Sequence, residues 1–344
     1  MNIREKRVID WLLEESNPSV RYFTLKDLLD RKERDPELKV AKRAIPKSKI
    51  ITKIFSKQNT KGYWLDPLSP YLPKYKASYW QVMILGQLGM DKTDRRVKKA
   101  CEYIFRFQHD EGGFSGDTKK TALKEYHWRL KRGKQLPAFK EWLRAKIYEG
   151  QMSCLTGNIV AALIKLGYGN DIHVKRALKW LVQVQNKDGG WLCPYWRAHI
   201  KDTHSCFMGT ICPLDAFSMV PGKYRTKEIE QAIKKGAEFF LMHHLFKADH
   251  HNFKIINSAW LEFNFPYFFY NILRGLDILT TLGYTSDERL NDAIKVLLQK
   301  REKNGTWKLE GAPVGRMHVN LETVGKPSKW ITLIACRILK RIGY

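Results

Sequence analysis

The stretch ALKWLVQVQNKDGGWLCPYW, residues 177–196, holds one helix end and one sharp turn. An amphipathic run closes on Gln185, and three residues later Asp188-Gly189-Gly190-Trp191 follows. Glycine reaches the positive φ values that stop a helix and reverse the chain. The Gln185 carboxamide is suited to bond backbone groups orphaned at that helix end or at its neighbour, and Trp191 is expected to pack over the turn. The same spelling recurs. Tyr103-Ile104, Gln108, Gly112 and Phe114 repeat it, as do Ile54, Gln58, Gly62 and Trp64. Leu297, Arg301, Gly305 and Trp307 repeat it with arginine in the glutamine place, and Phe240-Leu241, Leu245, Asp249 and His251 form a degenerate copy.

Each copy is followed by a short irregular stretch and a second apolar segment, such as SYWQVMILGQLG, CLTGNIVAALIKLG or KWITLIACRILKRIG. These second segments are apolar almost all round, whereas the first ones (TDRRVKKACEYIFRFQ, DIHVKRALKWLVQVQ) keep a charged face. That contrast predicts buried inner helices and half-exposed outer ones. A single pair cannot bury its apolar face alone; stacked pairs can. The sequence therefore predicts an all-α chain of about five to six helical hairpins.

The glutamine-to-tryptophan pattern resembles the QW-type repeats of squalene–hopene cyclases and the related turns of protein prenyltransferase β subunits. The likeness covers roughly residues 50–344. It implies an (α/α) toroid over residues 49–344, with residues 1–48 as an extra N-terminal helical segment packed on it. Within that segment Asn17 is an expected N-cap, with Pro18 at the first helical position. A basic insertion at about 117–150, which includes KKTALKEYHWRLKRGKQLPAFKEWLRAKIYEG, lengthens the interval between the copies at 108 and 185. It reads as two short helices joined at RGKQLP, serving as a lid, a docking face or a solvated excursion.

Lysine and arginine number 61 against 35 acids, a formal net charge of +26. Such an excess draws anions, whether nucleic acid, an anionic surface, a diphosphate or an acidic protein, without choosing among them. No apolar run is long enough to cross a bilayer, and the charged opening MNIREKRVIDWLLEE is unlike a secretory signal, so a cytoplasmic location is expected. In that compartment the six cysteines are expected to stay reduced.

Two cysteines stand at equivalent repeat positions, Cys154 in CLTG and Cys206 in CFMG, near the entry ends of successive inner helices. Cys193 and His204 lie in the connection between those helices. Thiolate and imidazole are zinc's preferred ligands, so Cys154, Cys193, His204 and Cys206 are a candidate zinc set; buried structural cysteines with a capping histidine are the alternative. The resemblance implies a zinc held by Asp, Cys and His in the prenyltransferases, but no Asp-any-Cys pair stands at a matching place here. His243, His244, His250 and His251 form a second histidine-rich turn. Trp80, Phe207, Tyr270 and Trp330 are expected either to line a cavity or to fill the core, and Lys76, Arg197 and Lys201 are candidate anchors for an anionic head.

Asp215 is an acid inside an apolar segment, beside Pro213, and a buried carboxyl is a candidate general acid. The Asp-any-Asp-Asp motif with which the resembling class II cyclases protonate substrate is absent, as is Asp-Asp-any-any-Asp. Proton-initiated cyclisation is therefore disfavoured. Two functions are carried forward. One is a prenyltransferase- or terpene-cyclase-like protein that takes an apolar, isoprenoid-type ligand with an anionic head, with catalysis left open. The other is a non-catalytic module whose basic surface binds nucleic acid or an acidic partner.

Overall fold

The computed structural model describes residues 3–192, 203–265, 267–313 and 315–344. Among them the structure is helical, with isolated bridges and no strand. No described helix is long and apolar enough to cross a membrane. The chain divides into two compact units, residues 54–236 with 315–318, and residues 1–53 with 237–314 and 319–344.

In the first of these units the predicted alternation is present. Helices α1 (Ile3–Leu12), α2 (Pro18–Phe23), α3 (Pro36–Ala44) and α4 (Lys49–Phe55) precede α5 (Ser78–Gln87), α6 (Arg95–Phe105), α7 (Lys119–Leu130), α8 (Phe139–Leu143), α9 (Ser153–Leu163), α10 (Ile172–Gln183), α11 (Phe207–Ser218) and α12 (Lys227–Met242). Every residue of α9 is buried, as are Ser78 to Gly86 of α5 and all but Met208 of α11. Helices α6 and α10 keep one charged face exposed. The inner helices meet backbone to backbone: a Cβ on Gly157 of α9 would lie 2.4 Å from the Cys212 carbonyl carbon and 2.5 Å from Pro213 N. Pro213 has no N–H to satisfy there, so α9 seats against α11 without burying an unpaired donor.

The turns work as the spelling suggested, and in a more specific way. Gln58, Gln108 and Gln185 each donate from Nε2 to two carbonyls. One belongs to the turn's own glycine, Gly62, Gly112 or Gly189, at 3.1, 2.9 and 2.7 Å. The other belongs to the next outer helix, at Arg96, His173 or Ala232, at 3.0, 2.8 and 2.9 Å. Those glycines have φ of 94, 118 and 91°. A Cβ on them would come within 2.4, 2.4 and 2.6 Å of the carbonyl oxygens of Lys99, Arg176 and Lys235, again on the next outer helix. Glycine is thus required twice, for the conformation and for the close approach.

The aromatic residue closes the turn from beneath. The Trp64 and Trp191 indoles donate to the carbonyls of Ile54 and Leu181, ten residues back, at 2.9 and 2.7 Å. Their backbone N–H groups, and that of Phe114, donate to hydroxyls at the start of the following inner helix: Ser78, Thr210 and Thr156, at 3.0, 3.0 and 2.9 Å. Each turn therefore fixes the end of one outer helix, the start of one inner helix and the flank of the next outer helix.

The insertion forms α7 and α8. They are pinned by Trp142 Nε1 donating to the Ala122 carbonyl at 3.0 Å and by Lys146 pairing with Glu125 at 2.9 Å.

The second unit contains α1 to α3, α13 (Ile272–Thr281), α14 (Asn291–Gln299) and α15 (Lys329–Arg341). Asn17 caps α2 through Oδ1, accepting from Val20 N at 3.2 Å, with Pro18 in the first turn. The N-terminal segment lies on α15, joined by Glu14–Lys329 at 2.6 Å, Asp27–Arg337 at 3.4 Å and Asp30–Lys340 at 2.6 Å. The last turn repeats the pattern: Gly305 has φ 89°, and Trp307 donates from Nε1 to the Leu297 carbonyl at 2.7 Å and from N to Thr332 Oγ1 at 3.0 Å.

The degenerate copy is corrected by the structure. In the regular turns Asn59 N bonds Tyr63 O and Asn186 N bonds Gly190 O; here Ala248 N bonds Lys254 O, across a longer loop. Lys247 and Ile255, which bridge as Gln58 and Trp64 do, therefore hold the glutamine and tryptophan places, and Leu245 and His251 do not. Lys247 Nζ reaches Asp292 in the first turn of α14 at 2.7 Å, and His244 Nδ1 lies 3.0 Å from the same carboxylate. An ion pair has replaced the amide clasp. Gly275 stands where Thr210 and Thr332 stand in their helices. The phenol of Tyr270 fills that space, donating to the Leu245 carbonyl at 2.5 Å.

Two tests follow from these clasps. Thr210→Val orphans the buried Trp191 amide and is expected to lower the unfolding free energy by about 1–3 kcal/mol in urea titrations, with Gly189→Val costing more. An unchanged midpoint for both would remove the clasp. At the fourth turn, the hydrogen bond from Lys247 holds the Asp292 carboxyl below its usual value near 3.8. Its contribution is present above that value and fades as pH falls through the lower folded-state value. Asp292→Asn should therefore unfold more easily than wild type at pH 7, and the gap should close only in strong acid; a gap that persists there contradicts the ion pair.

Candidate functional site

The clasps set the starts of α5, α9 and α11 side by side, and the connections that precede them touch in sequence. A Cβ on Gly116 would lie 3.3 Å from the Tyr71 ring and 2.9 Å from Met152 Cε. Ser153 Oγ donates to the Leu192 carbonyl at 3.0 Å, and Cys206 N donates to Trp191 O at 3.1 Å. This rim, at the helix ends where Cys154 and Cys206 were expected together, is the candidate site.

Trp80 is fully buried in it. Its ring packs between Tyr71 and Tyr75, at 5.4 and 4.8 Å between centroids, and its indole donates to the Tyr71 carbonyl at 2.7 Å. Lys76 precedes α5, half-buried, and its carbonyl accepts from His318 Nε2 at 3.0 Å. Burial, ahead of nearby lysines, holds His318 below its usual 6.5. Phe207 opens α11 at 7% exposure.

The candidate zinc ligands are placed as follows. Cys154 is buried in the first turn of α9, and Asn158 Nδ2 donates to its carbonyl at 3.0 Å. Cys206 is the N-cap of α11, its Sγ accepting from Gly209 N at 2.9 Å. His204 is 68% exposed, with Nδ1 4.0 Å from Asp188 Oδ2. Cys193 lies outside the described residues, as do Arg197 and Lys201. Among the described residues no three His, Cys, Asp or Glu side chains form a group that would hold a metal. The three described ligands do not by themselves fit zinc. The same holds of the histidine-rich turn, where His243 and His250 lie 3.5 and 3.2 Å from the Asp249 carboxylate.

Sequence reasoning passed over Asp188. Its carboxylate accepts from Ser205 N at 2.7 Å, Ser205 Oγ at 2.6 Å and Gly190 N at 3.1 Å, tying the third turn to the residues entering α11. The Asp-Gly-Gly spelling was its only signal.

Asp215 lies at the other end of α11, eight residues beyond Phe207 or about 12 Å at 1.5 Å per residue. There its Oδ1 is 3.6 Å from Lys165 Nζ, which also donates to Gln87 Oε1 at 3.2 Å. The carboxylate belongs to a polar cluster at the C-terminal ends of the inner helices.

Tyr270 and Trp330 belong to the other unit. Tyr270 stacks on Phe240 at 5.1 Å with its hydroxyl spent on Leu245, and burial drives its phenol well above the usual 10. Trp330 sits in the first turn of α15 at 3% exposure between Phe23 and Phe265, 6.1 and 5.2 Å away. Its indole N–H has no acceptor among the described residues. Glu322, which the sequence did not flag, caps that helix by accepting from Lys329 N at 2.7 Å and Trp330 N at 3.3 Å; burial raises its carboxyl above 4.5 despite those bonds.

The model of the prenyltransferase alpha-alpha toroid domain family matches residues 54–233, and the chain belongs to that family. A squalene–hopene cyclase of Zymomonas mobilis subsp. mobilis is 28% identical over 130 residues, which is 38% of this chain and 15% of the cyclase's length. Among solved structures, a protein from Actinoplanes aligns over 99% of both chains with a TM-score of 0.47 and 15% identity. The type II terpene cyclase MstE of Scytonema, as a variant in complex with geranylgeranyl dihydroxybenzoate, aligns over 98% of both chains with a TM-score of 0.46 and 12% identity.

The two kinds of thiol are separable in solution. Burial pushes Cys101 up to about 12 and shuts it from solvent, whereas Cys206 is half-buried at the start of α11 and open to a reagent. Iodoacetamide at pH 8 is expected to modify Cys206 well before Cys101 in native protein. Equal rates by peptide mass spectrometry would contradict the placement.

Proposed function

We propose that this protein binds a long apolar molecule of isoprenoid type, with an anionic head, against its inner helices. One observation carries the reading. In a chain with 61 lysines and arginines, α5, α9 and α11 contain none, and their single acid, Asp215, faces Lys165. A set of helices kept free of cations in so basic a protein suits an apolar occupant. The family of the toroid supports the same reading, and so does the partial likeness to a squalene–hopene cyclase. Lys76 at the rim is the described anchor for the head, with Arg197 and Lys201 in the connection before α11 as further anchors.

A second reading rests on α7. Trp128 is 55% exposed there with Arg132 stacked 3.6 Å from its ring, beside exposed Lys124, His127 and Lys131. This face suits a polyanion, and binding to unrelated polynucleotides would then fall steeply with salt.

Native mass spectrometry with geranylgeranyl diphosphate and geranylgeraniol tests the first reading. The diphosphate is expected to bind one per chain and more tightly than the alcohol. Phe207→Asp should weaken both by about tenfold or more, and Lys76→Glu only the diphosphate. Absence of binding, or a Phe207→Asp protein that melts normally and binds as wild type does, would overturn it.

A further inference from the structure

Beside the start of α15, α1 and the last turn flank an open cleft of about 740 Å³, lined by Arg7, Val8, Trp11, Lys303, Asn304 and Pro327 among others. All of these belong to one unit. The volume is that of an ordinary small-molecule site, and its lining is one-sided. Arg7 and Lys303 are exposed and have no acidic partner among the described residues. Of the acids near the lining in sequence, Glu14 pairs with Lys329 at 2.6 Å and Glu302 with Lys308 at 3.0 Å, and Asp10, beside Trp11, does not line the space. Asn304 spends Oδ1 on Thr306, accepting from its N at 3.1 Å and its Oγ1 at 2.7 Å. That fixes the carboxamide and leaves its NH2 as a donor. The polar groups named are therefore two cations and an oriented amide donor, brought from two separate elements, with no carboxylate among them. Trp11, Val8 and Pro327 supply an aromatic and aliphatic side to the same space.

We infer that this cleft is a binding site for a small organic phosphate, with the phosphate on Arg7, Lys303 and Asn304 and an apolar group against Trp11. Two unpaired cations match the charge of a phosphate monoester, about −1.5 to −2 near neutrality, better than that of a single carboxylate. Guanidinium and ammonium are both natural phosphate partners. The site uses none of α5, α9 and α11, so its test does not depend on an isoprenoid ligand.

Isothermal titration with phenyl phosphate at low salt, with inorganic phosphate and benzyl alcohol as separate titrants, reads it directly. Phenyl phosphate is expected to saturate one site per chain. Replacing both cations (Arg7→Ala with Lys303→Ala) should weaken it at least about tenfold, while removing two exposed cations elsewhere (Lys61→Ala with Lys234→Ala) should leave it unchanged. Trp11→Leu should weaken phenyl phosphate and spare inorganic phosphate. Four results would each overturn the site, with folding checked by circular dichroism: no saturable binding, equal loss in both double variants, benzyl alcohol binding as tightly as phenyl phosphate, or a Trp11→Leu variant that loses inorganic phosphate as well.

Discussion

The structure depends on how the backbone N–H that precedes each inner helix is satisfied. A buried, unpaired amide costs about 1–3 kcal/mol, and the regular turns meet that demand in one way: the amide of Trp64, Phe114, Trp191 or Trp307 is given a hydroxyl from the first turn of the helix it introduces. That bond sets where the inner helix begins. The glutamine amide and the left-handed glycine then set where the next outer helix passes, because neither tolerates a carbonyl displaced from its place. Hydrophobic burial drives the pairs together without direction; these short polar clasps give the packing its register.

Much of this was legible in the sequence, and for a clear reason. Positive-φ glycine, glutamine and tryptophan are spelled directly where they act, so the regular turns, the alternation of charged-face and all-apolar helices, and the Asn17-Pro18 start of α2 could be read before any coordinate. The accepting hydroxyls could not. Ser78, Thr156, Thr210 and Thr332 are ordinary residues in apolar helices, and only the fold reveals that each faces a turn. The fourth turn was misread in register because Lys247 performs the glutamine's task with a different chemistry, and a longer loop moves its partners out of alignment. In the same way the Tyr270 phenol replaces the missing hydroxyl at Gly275, so an aromatic that reads as cavity lining spends its polar end on a clasp.

The candidate site was legible in outline and opaque in detail. The sequence set Cys154 and Cys206 at equivalent repeat positions, whereas the clasp hydroxyls of Thr156 and Thr210 put them two residues out of register, Cys154 inside the first turn of α9 and Cys206 as the N-cap of α11; nor can spacing say that a cysteine sulfur is engaged as an N-cap or that His204 faces solvent. Asp215 shows the same limit. Its burial follows from the apolar segment around it, but the end of the helix it serves is decided by Lys165 and Gln87, residues far away in the chain. What survives is a property of whole elements: cations are excluded from α5, α9 and α11 and crowd the rest of the surface.

Native-state hydrogen exchange at the backbone amides of Trp64, Phe114, Trp191 and Trp307 measures the central claim most directly. If the hydroxyl clasps hold the repeats in register, these four amides exchange among the slowest in their units, and only through cooperative unfolding. Exchange as fast as that of the exposed turn amides of Thr60 and Lys187 would show that the turns are passive connections, and that some other contact sets the register of the helices.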